Sequence, residues 1–371
     1  MSQADAETLR ATLQLALLPG VGPGVYRSLM ERFGSPQAAL GAPWAQLCSV
    51  RGVGDVIAKR VASAHELVDV DEELKRCQDH GIRIAPESSP DYPRALKNIH
   101  DPPVVLFLRG ELQGRDELAV AIVGSRHATR YGVQQAERLA AGLALRGLTI
   151  VSGLARGIDA AAHRGALGSG GRTLAVLASG LANIYPPEHA ELADQIVNSG
   201  ALLSESPPAF EPLAGSFPRR NRLISGLSQG VLVVEASERS GALITARHAG
   251  EQGREVFAVP GPVTSRASRG CHRLIRDGAK LVESVDDVLE ELGPLPQPAR
   301  VDADTSVSHP IELSLNEQEQ QVLRVMGADP LTMDEVIAQS GLPASRVLAT
   351  ISALERRRLI ARISGNTIAR R

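Results

Sequence analysis

The residues of this sequence with chemical potential are arginines, serines and glycines, placed where apolar runs stop and helical patterns start. The first group is Gly124-Ser125-Arg126, directly after the run Leu118–Val123. Glycine lets a backbone approach an anion, serine and helix-end amides donate hydrogen bonds, and a guanidinium offers a fork that matches phosphate. The spacing is not Gly-x-Gly-x-x-Gly, which disfavours a dinucleotide cofactor. The plain alternative is an ordinary strand-to-helix turn with a solvated arginine. The second group is Ser152-Gly153-Leu154-Ala155-Arg156-Gly157, again between an apolar run and a helical stretch. Arg156 could reach a second phosphate. Asp159 is expected to bond free amides of the helix's first turn rather than to catalyse. His163, set among alanines, is expected to be a satisfied structural residue. The third group is Ser216-Phe217-Pro218-Arg219-Arg220-Asn221-Arg222, whose three guanidiniums could neutralise a phosphate backbone. The fourth pairs Glu235, at a strand end, with Ser240-Gly241 at a helix start. Glu235 could orient arginines across a crevice or serve as a general base.

These groups need elements to hold them, and the apolar pattern supplies them. Buried strands are expected at Leu118–Val123, Leu148–Val151, Thr173–Ala178, Ala201–Ser204, Val231–Glu235, Glu255–Val259 and Lys280–Val282. Helical stretches lie between them: Gly132–Arg146, Gly157–Leu167, Glu188–Asn198, Asn221–Leu227, Ala242–Gln252 and Cys271–Asp277. Strand and helix in alternation, with short connections, specify a doubly wound, mainly parallel α/β sheet. In such a sheet ligands bind beyond the carboxyl ends of the strands, where the four groups fall.

Residues 86–292 form this central unit. Residues 1–85 are helical. Leu9, Leu13 and Leu17 share a helix face, and Gly20-Val21-Gly22 returns as Gly52-Val53-Gly54, each before a helical stretch. Such turns resemble helix-hairpin-helix (SAM-like) elements, which offer backbone amides to DNA phosphates without reading sequence. A tight packing turn is the plain alternative. Residues 293–313 hold four prolines and read as a linker. Residues 314–371 read as helix, helix, helix and hairpin, the order of a winged helix. Asn316 is expected to cap the first helix, Thr332 or Asp334 to open the second, and Val347, Ile351 and Leu354 to face inward on the third. Arg346, Arg356, Arg357, Arg358 and Arg362 leave weak duplex DNA contact open there; a protein-interaction module is the plain alternative.

Composition narrows the function classes. The chain has 371 residues, 43% apolar and 22% charged, with net charge −2. It is no polybasic arm, so any nucleic-acid role rests on a local patch. Between residues 126 and 222 there are ten arginines, no lysine and seven carboxylates, a net of +3. Only four lysines occur in the chain, so part of this is arginine bias. Aromatic residues are 3%, too few for a protein that grips bases mainly by stacking; Phe217 and Tyr131 are the nearest platforms. Three scattered cysteines make no Cys-x-x-Cys pair. This disfavours a thiolate metal site and fits a reducing cytoplasm. The start MSQADAETLR has neither the basic start nor the apolar run of a signal peptide, and no membrane-spanning segment is expected. There is no Walker motif, clustered carboxylate set or Gly-x-Ser-x-Gly. No cofactor, no metal and no membrane partner are expected.

Taken together the motifs resemble the DNA-processing protein A (DprA/Smf) family. The resemblance runs through Tyr92-Pro93 with Asp101-Pro102-Pro103, then the stretches 123–126 and 152–163. It continues through Gly180 with Tyr185-Pro186, and through 204–208, 217–228, 233–236, 240–246 and 255–261. Leu274-Ile275 with Asp277-Gly278-Ala279 complete it. It implies a Rossmann-like central fold and a single-stranded-DNA-binding protein without catalysis. Such a protein protects incoming strands in natural transformation and loads the RecA recombinase, as a cytoplasmic homodimer. It also implies that Arg126 and the Arg220–Arg222 cluster are the main DNA contacts, with backbone and Arg156 contacts from the second group. The expected site is therefore Gly124, Ser125, Arg126, Ser152, Gly153, Arg156, Gly157, Phe217, Arg219, Arg220, Asn221, Arg222, Ser240 and Gly241.

Two other classes remain. The pattern is also similar to nucleotide-monophosphate phosphoribohydrolases, whose phosphate loop carries a glutamate on the following helix. Here that stretch is Ser240–Gly250 and lacks it. A transcription regulator acting through the winged helix would have few base-reading side chains, chiefly Ser345 and Arg346.

Overall fold

The computed structural model describes residues 3–292, 317–326, 331–356, 359–364 and 367–370. The expected linker 293–313, Asn316 and Arg357-Arg358 lie outside these. Nine strands form one sheet: β1 (Arg83–Pro86), β2 (Val105–Gly110), β3 (Ala119–Val123), β4 (Thr149–Ser152), β5 (Thr173–Leu177), β6 (Ala201–Ser204), β7 (Gly230–Val233), β8 (Glu255–Ala258) and β9 (Lys280–Leu281). Their order is β1-β2-β6-β5-β4-β3-β7-β8-β9. From β6 to β9 every pairing is parallel; β2 runs antiparallel to both β1 and β6. The sheet is thus doubly wound, and its strand order reverses at β3, between β4 and β7.

The parallel strands β3 to β7 are buried end to end because helices cover both faces. Residues Val120 and Ile122 of β3 face a layer that includes Leu139 and Leu143 of the helix Arg130–Leu145, Ala162 of the helix Ile158–Gly168, and Leu289 of the helix Val285–Leu292. Residues Ala119, Ala121 and Val123 face the other layer, with Leu223 of the helix Ser216–Gly226 and Ala246 of the helix Ala242–Glu251. This alternation is the two-residue period of a strand read on both sides.

The expected parallel strands and the helices between them are present, with ends shifted by a residue or two, except for one helix. That helix starts at Ser216 rather than Asn221. Pro218 sits in its first turn, where a missing amide and a fixed φ cost nothing. Elements that were not expected include β1, β2, the short helix Arg94–Lys97 and the helix Val285–Leu292.

At the amino terminus the helix Gln3–Ala16 buries two faces. Leu13 shares a cluster with Val70 of the same unit and with Phe107 and Leu177 of the central unit, while Leu15 packs with Leu18, Leu29 and Val61 in a separate cluster. The expected stripe of Leu9, Leu13 and Leu17 therefore covers only one of the faces in use. Gly20 and Gly52 have φ of +92° and +81°, and Gly22 and Gly54 cap the helices Pro23–Phe33 and Asp55–Ala62. Positive φ is the reason glycine is needed at both turns. Arg60 of the second hairpin donates to the Pro19 carbonyl of the first (2.7 Å), joining the two.

The carboxyl-terminal unit has helices Glu317–Val325, Met333–Ser340 and Ala344–Arg356 and a small antiparallel sheet of 331–332, 360–364 and 367–370. Thr332 and Glu335 form a reciprocal capping box at the second helix. Val347, Ile351 and Leu354 are buried on the third. This is a winged-helix arrangement.

Candidate nucleic-acid interface

The loops after β3, β4 and β5 and the helix after β6 meet at the carboxyl end of the sheet. Together they frame a cleft lined by Arg126, Gly153, Ala155, Arg156, Ala178, Ser179, Tyr185, Pro186, Phe217 and Arg220. The local backbone explains why these residue types stand there. Gly124 packs against Ile158 and the Glu235 carbonyl, and a Cβ would lie 2.5 Å from Ile158 Cγ1. Gly157 has φ of +74°, and a Cβ there would lie 2.2 Å from the Ser125 carbonyl oxygen. The two loops are clamped together: Ser125 N donates to the Glu235 carbonyl (2.7 Å) and Ile158 N to the Ser125 carbonyl (3.2 Å). Ser152 donates its hydroxyl to the Ile122 carbonyl (2.6 Å), fixing β4 to β3.

Gly153 makes room for Arg220. A Cβ at Gly153 would fall 1.7 Å from an Arg220 guanidinium nitrogen. Arg220 is 6% exposed and donates to the Val176 carbonyl (2.6 Å), while its Nε is buried without a partner. Burial pulls its pKa down to about 10; Asp159 opposes this and the positive charge of Arg126 adds to it. The group stays protonated at neutral pH, held in a place that favours an anion. Ser179 Oγ, on the same wall, is also buried without a partner. Two residues that line one cleft thus each carry a buried, unmatched polar atom, a departure from the usual accounting of buried polar atoms.

The mouth of the cleft is aromatic. The guanidinium of Arg126 lies 4.4 Å from the ring centroid of Phe217, a contact of about 0.5–1 kcal/mol at an exposed site. Tyr185 meets the same ring edge-on at 6.0 Å. Arg156 reaches across to Glu188.

Of the expected site residues, Arg126, Gly153, Arg156, Phe217 and Arg220 come together in this cleft. Gly124, Ser125, Ser152 and Gly157 stand behind it as the backbone frame. The others are placed elsewhere. Arg222 is buried, donating to the Asp101 carbonyl (2.7 Å) and the Glu205 carboxylate (2.6 Å). Arg219 is exposed and shares the same Glu205 carboxylate (2.8 Å). Asn221 is buried and donates to the Gly241 carbonyl (3.3 Å). Ser240 accepts from Ala242 N (3.3 Å) at the next helix start. Ser240 and Gly241 therefore border a different part of the surface.

Glu235 does not orient arginines across the cleft. Its carboxylate accepts from the Thr129 amide (2.9 Å) and hydroxyl (2.6 Å). It thereby serves the amino-terminal end of the helix Arg130–Leu145, where negative charge is favoured. Asp159 is buried and accepts from Ala155 N (3.3 Å), in the loop before its helix rather than in the first turn. Burial raises its pKa, with Arg220 opposing. His163 is fully buried, with Nδ1 on the Thr173 hydroxyl (2.7 Å). Thr173 spends its proton on the Ile150 carbonyl, so Nδ1 is the donor. Burial lowers the His163 pKa to about 3, so the ring is neutral; its Nε2 is buried without a partner, so the expected satisfied histidine is bonded on one side alone.

The sequence by itself assigns no role to Tyr185, Ser179 or Glu205. Tyr185 and Glu205 stood within motifs already singled out, but nothing in a linear spacing shows that one ring edges Phe217 or that one carboxylate holds two arginines. Among the described residues, no group of three or more His, Cys, Asp or Glu could hold a metal ion. No helix among them is long and apolar enough to cross a membrane.

The family model of DNA recombination-mediator protein A matches residues 83–293, and the DprA winged helix domain matches residues 307–366. The DNA processing protein DprA of Bacillus subtilis is 47% identical over 223 residues, covering 59% of this chain and 74% of that protein. The X-ray structure of DNA processing protein A from Streptococcus pneumoniae matches with a TM-score of 0.66 at 38% identity. It covers 76% of this chain and 95% of that one. A DNA processing protein A from Helicobacter pylori, described for its single-stranded DNA binding mode, matches with a TM-score of 0.52 at 32% identity over 57% of this chain and 97% of that one. The chain belongs to the DNA recombination-mediator protein A (DprA/Smf) family.

Proposed function

We propose that this protein binds single-stranded DNA in the cleft at the carboxyl ends of β3, β4 and β5, without catalysing a reaction on it. The observation that carries the reading is Arg220. It is a buried guanidinium with an unmatched Nε, set beside Ser179 and below Arg126 and Phe217. Phosphate supplies the acceptors these groups lack, and an unpaired base has a face for the aromatic rings. The single-stranded DNA binding named for the Helicobacter pylori relative supports the same reading. Arg126, Arg156, Phe217 and Arg220 are the contacts. The glycines and serines around them hold the frame, and Arg222 and Asn221 position the helix that carries Phe217 and Arg220. Ser240 and Gly241 act further along the same end of the sheet.

The wider role follows the family resemblance. The protein acts in the cytoplasm as a homodimer, protects incoming strands during transformation and hands them to the RecA recombinase. Residues 1–85 and 314–371 act as end domains around the 86–292 core, joined to the winged helix by 293–313. They add weak duplex DNA contact.

A nucleotide-processing enzyme is the competing reading, and two features weigh against it. Glu235, the one acid at the end of β7, is committed to Thr129. The stretch Ser240–Gly250 also lacks the glutamate that the phosphoribohydrolase phosphate loop carries on its following helix.

Fluorescence anisotropy with competitors tests the choice. Unlabelled single strand should displace the labelled strand well, duplex of the same sequence poorly, and nucleoside monophosphate not at all, with affinity falling as salt rises. Displacement by the monophosphate, with weak strand binding, would reverse the conclusion.

A further inference from the structure

We propose that the same end of the sheet carries a second shelf, on the β3/β7/β8 side, which takes the stretch of single-stranded DNA adjoining the one in the cleft. This rests on the single-strand reading above and extends it to surface that reading does not use.

The shelf is built around Tyr131. Its ring is 38% exposed, and its hydroxyl donates to the Pro260 carbonyl (2.8 Å), which pins the ring to the loop after β8. That loop is tightly folded. A Cβ on Gly261 would lie 2.2 Å from Ser268 Oγ and 3.9 Å from the Tyr131 ring. Val263, at its tip, is 82% exposed. Gly270 N donates to the Ala236 carbonyl (2.7 Å), holding the helix Arg269–Arg276 against the loop after β7.

Four arginines surround these loops: Arg130, Arg239, Arg266 and Arg269. All are exposed. None makes an ion pair or a side-chain hydrogen bond among the described residues, unlike Arg156, Arg219 and Arg222 nearby. The segments 126–131 and 260–269 contain no acid, and 236–241 contains only Glu238. Unpaired like charges held at one end of a fold repel each other and favour a polyanion. A half-exposed, anchored tyrosine gives a base one flat face at low entropic cost.

The occupant is a continuation of the same strand because the two surfaces share one segment. Arg126 edges the cleft, and Arg130-Tyr131 begin the shelf four residues later. The shelf also lies at the reversal of strand order between β3 and β7, where open α/β sheets gather ligands. A duplex would have no free base face to lay on Tyr131.

The test compares oligothymidylates of about 5 and about 15 nucleotides, lengths that bracket a single binding module. They would be bound by the full-length wild type, R266A/R269A, Y131A and Y131F. In R266A/R269A and Y131A the longer oligomer should bind ~10-fold more weakly, with a shallower salt dependence in R266A/R269A alone. The shorter one should be unchanged, and Y131F should keep the affinity of the wild type. Affinity for the longer oligomer within about twofold of wild type, or equal loss for both lengths, would overturn the shelf. Wild-type protein that binds neither oligomer would overturn the single-strand reading and the shelf with it.

Discussion

At the amino end of β5, Arg172 is 6% exposed, and each of its nitrogens has an acceptor. Nε and one terminal nitrogen bond the Asp116 carboxylate (2.5 and 2.8 Å), the other terminal nitrogen bonds the Ser199 carbonyl (2.9 Å), and the Glu111 carbonyl takes a further bond. At the carboxyl end of the same sheet Arg220 is buried to the same degree, yet its Nε has nothing to bond. It leans on the Val176 carbonyl and feels Asp159 only at longer range. Equal burial with unequal matching separates the two jobs. Arg172 closes the fold, and losing it would strand Asp116. Arg220 is kept charged and under-bonded, which is tolerable where an anion can arrive. Arg222, tied to Glu205 and Asp101, belongs with Arg172 although it is two residues from Arg220.

The comparison can be broken by substitution. Arg172→Ala should have the largest effect, about 3–5 kcal/mol of folding stability, because it leaves a buried carboxylate without its cation. Chemical denaturation reads this directly, and the folded fraction should bind single strands as the wild type does. Acid should come next, acting through His163 beneath the cleft. Its folded pKa is about 3 against an ordinary 6.5, so below pH 6.5 the unfolded chain takes a proton that the folded one refuses. Stability should fall by about 1.4 kcal/mol per pH unit between those values. Denaturation at a series of pH values should show this slope, and His163→Leu should remove that share of it.

Arg126→Ala combined with Arg220→Ala should weaken single-strand binding about 100-fold or more, since bonds to charged groups contribute about 1.5–3 kcal/mol each. Arg222→Ala should instead cost stability, with binding following the folded fraction; anisotropy and denaturation on the same samples separate the two. The smallest change is expected from Glu235→Gln. Losing a charged cap should cost about 1 kcal/mol of stability, with strand binding unchanged and no base released from nucleoside monophosphates before or after the change. Monophosphate cleavage that Glu235→Gln abolishes would restore the enzyme reading.

What the sequence made legible follows from locality. Runs such as Ala119–Val123 and Thr173–Leu177 are apolar at nearly every position, as a strand covered on both faces requires, so the parallel core could be read directly. Strands β1 and β2 could not. Arg83-Ile84-Ala85-Pro86 is short, ends in proline, and becomes a strand only by pairing with Val105–Leu108 some twenty residues away. The helix Val285–Leu292 was hidden because its pattern runs into the proline-rich stretch that follows. At the site, the glycines and arginines announced an anion, and the loops fell where an α/β sheet collects ligands. Their division was not legible. Arg219, Arg220 and Arg222 are equivalent as letters, and only packing against Glu205, Gly153 and Asp101 tells which guanidinium is free to act. Glu235 looked reactive for the same reason: its partner, Thr129, lies 106 residues away.

The slope of log Kd against log salt concentration, measured for single-stranded DNA with the wild type, the Arg126/Arg220 double alanine variant and Arg222→Ala, tests the division most directly. The account predicts a slope shallower by about 1.4 in the double variant, about 0.7 for each phosphate of a single strand left without its guanidinium, and an unchanged slope for Arg222→Ala. Equal slopes in the wild type and the double variant would contradict it.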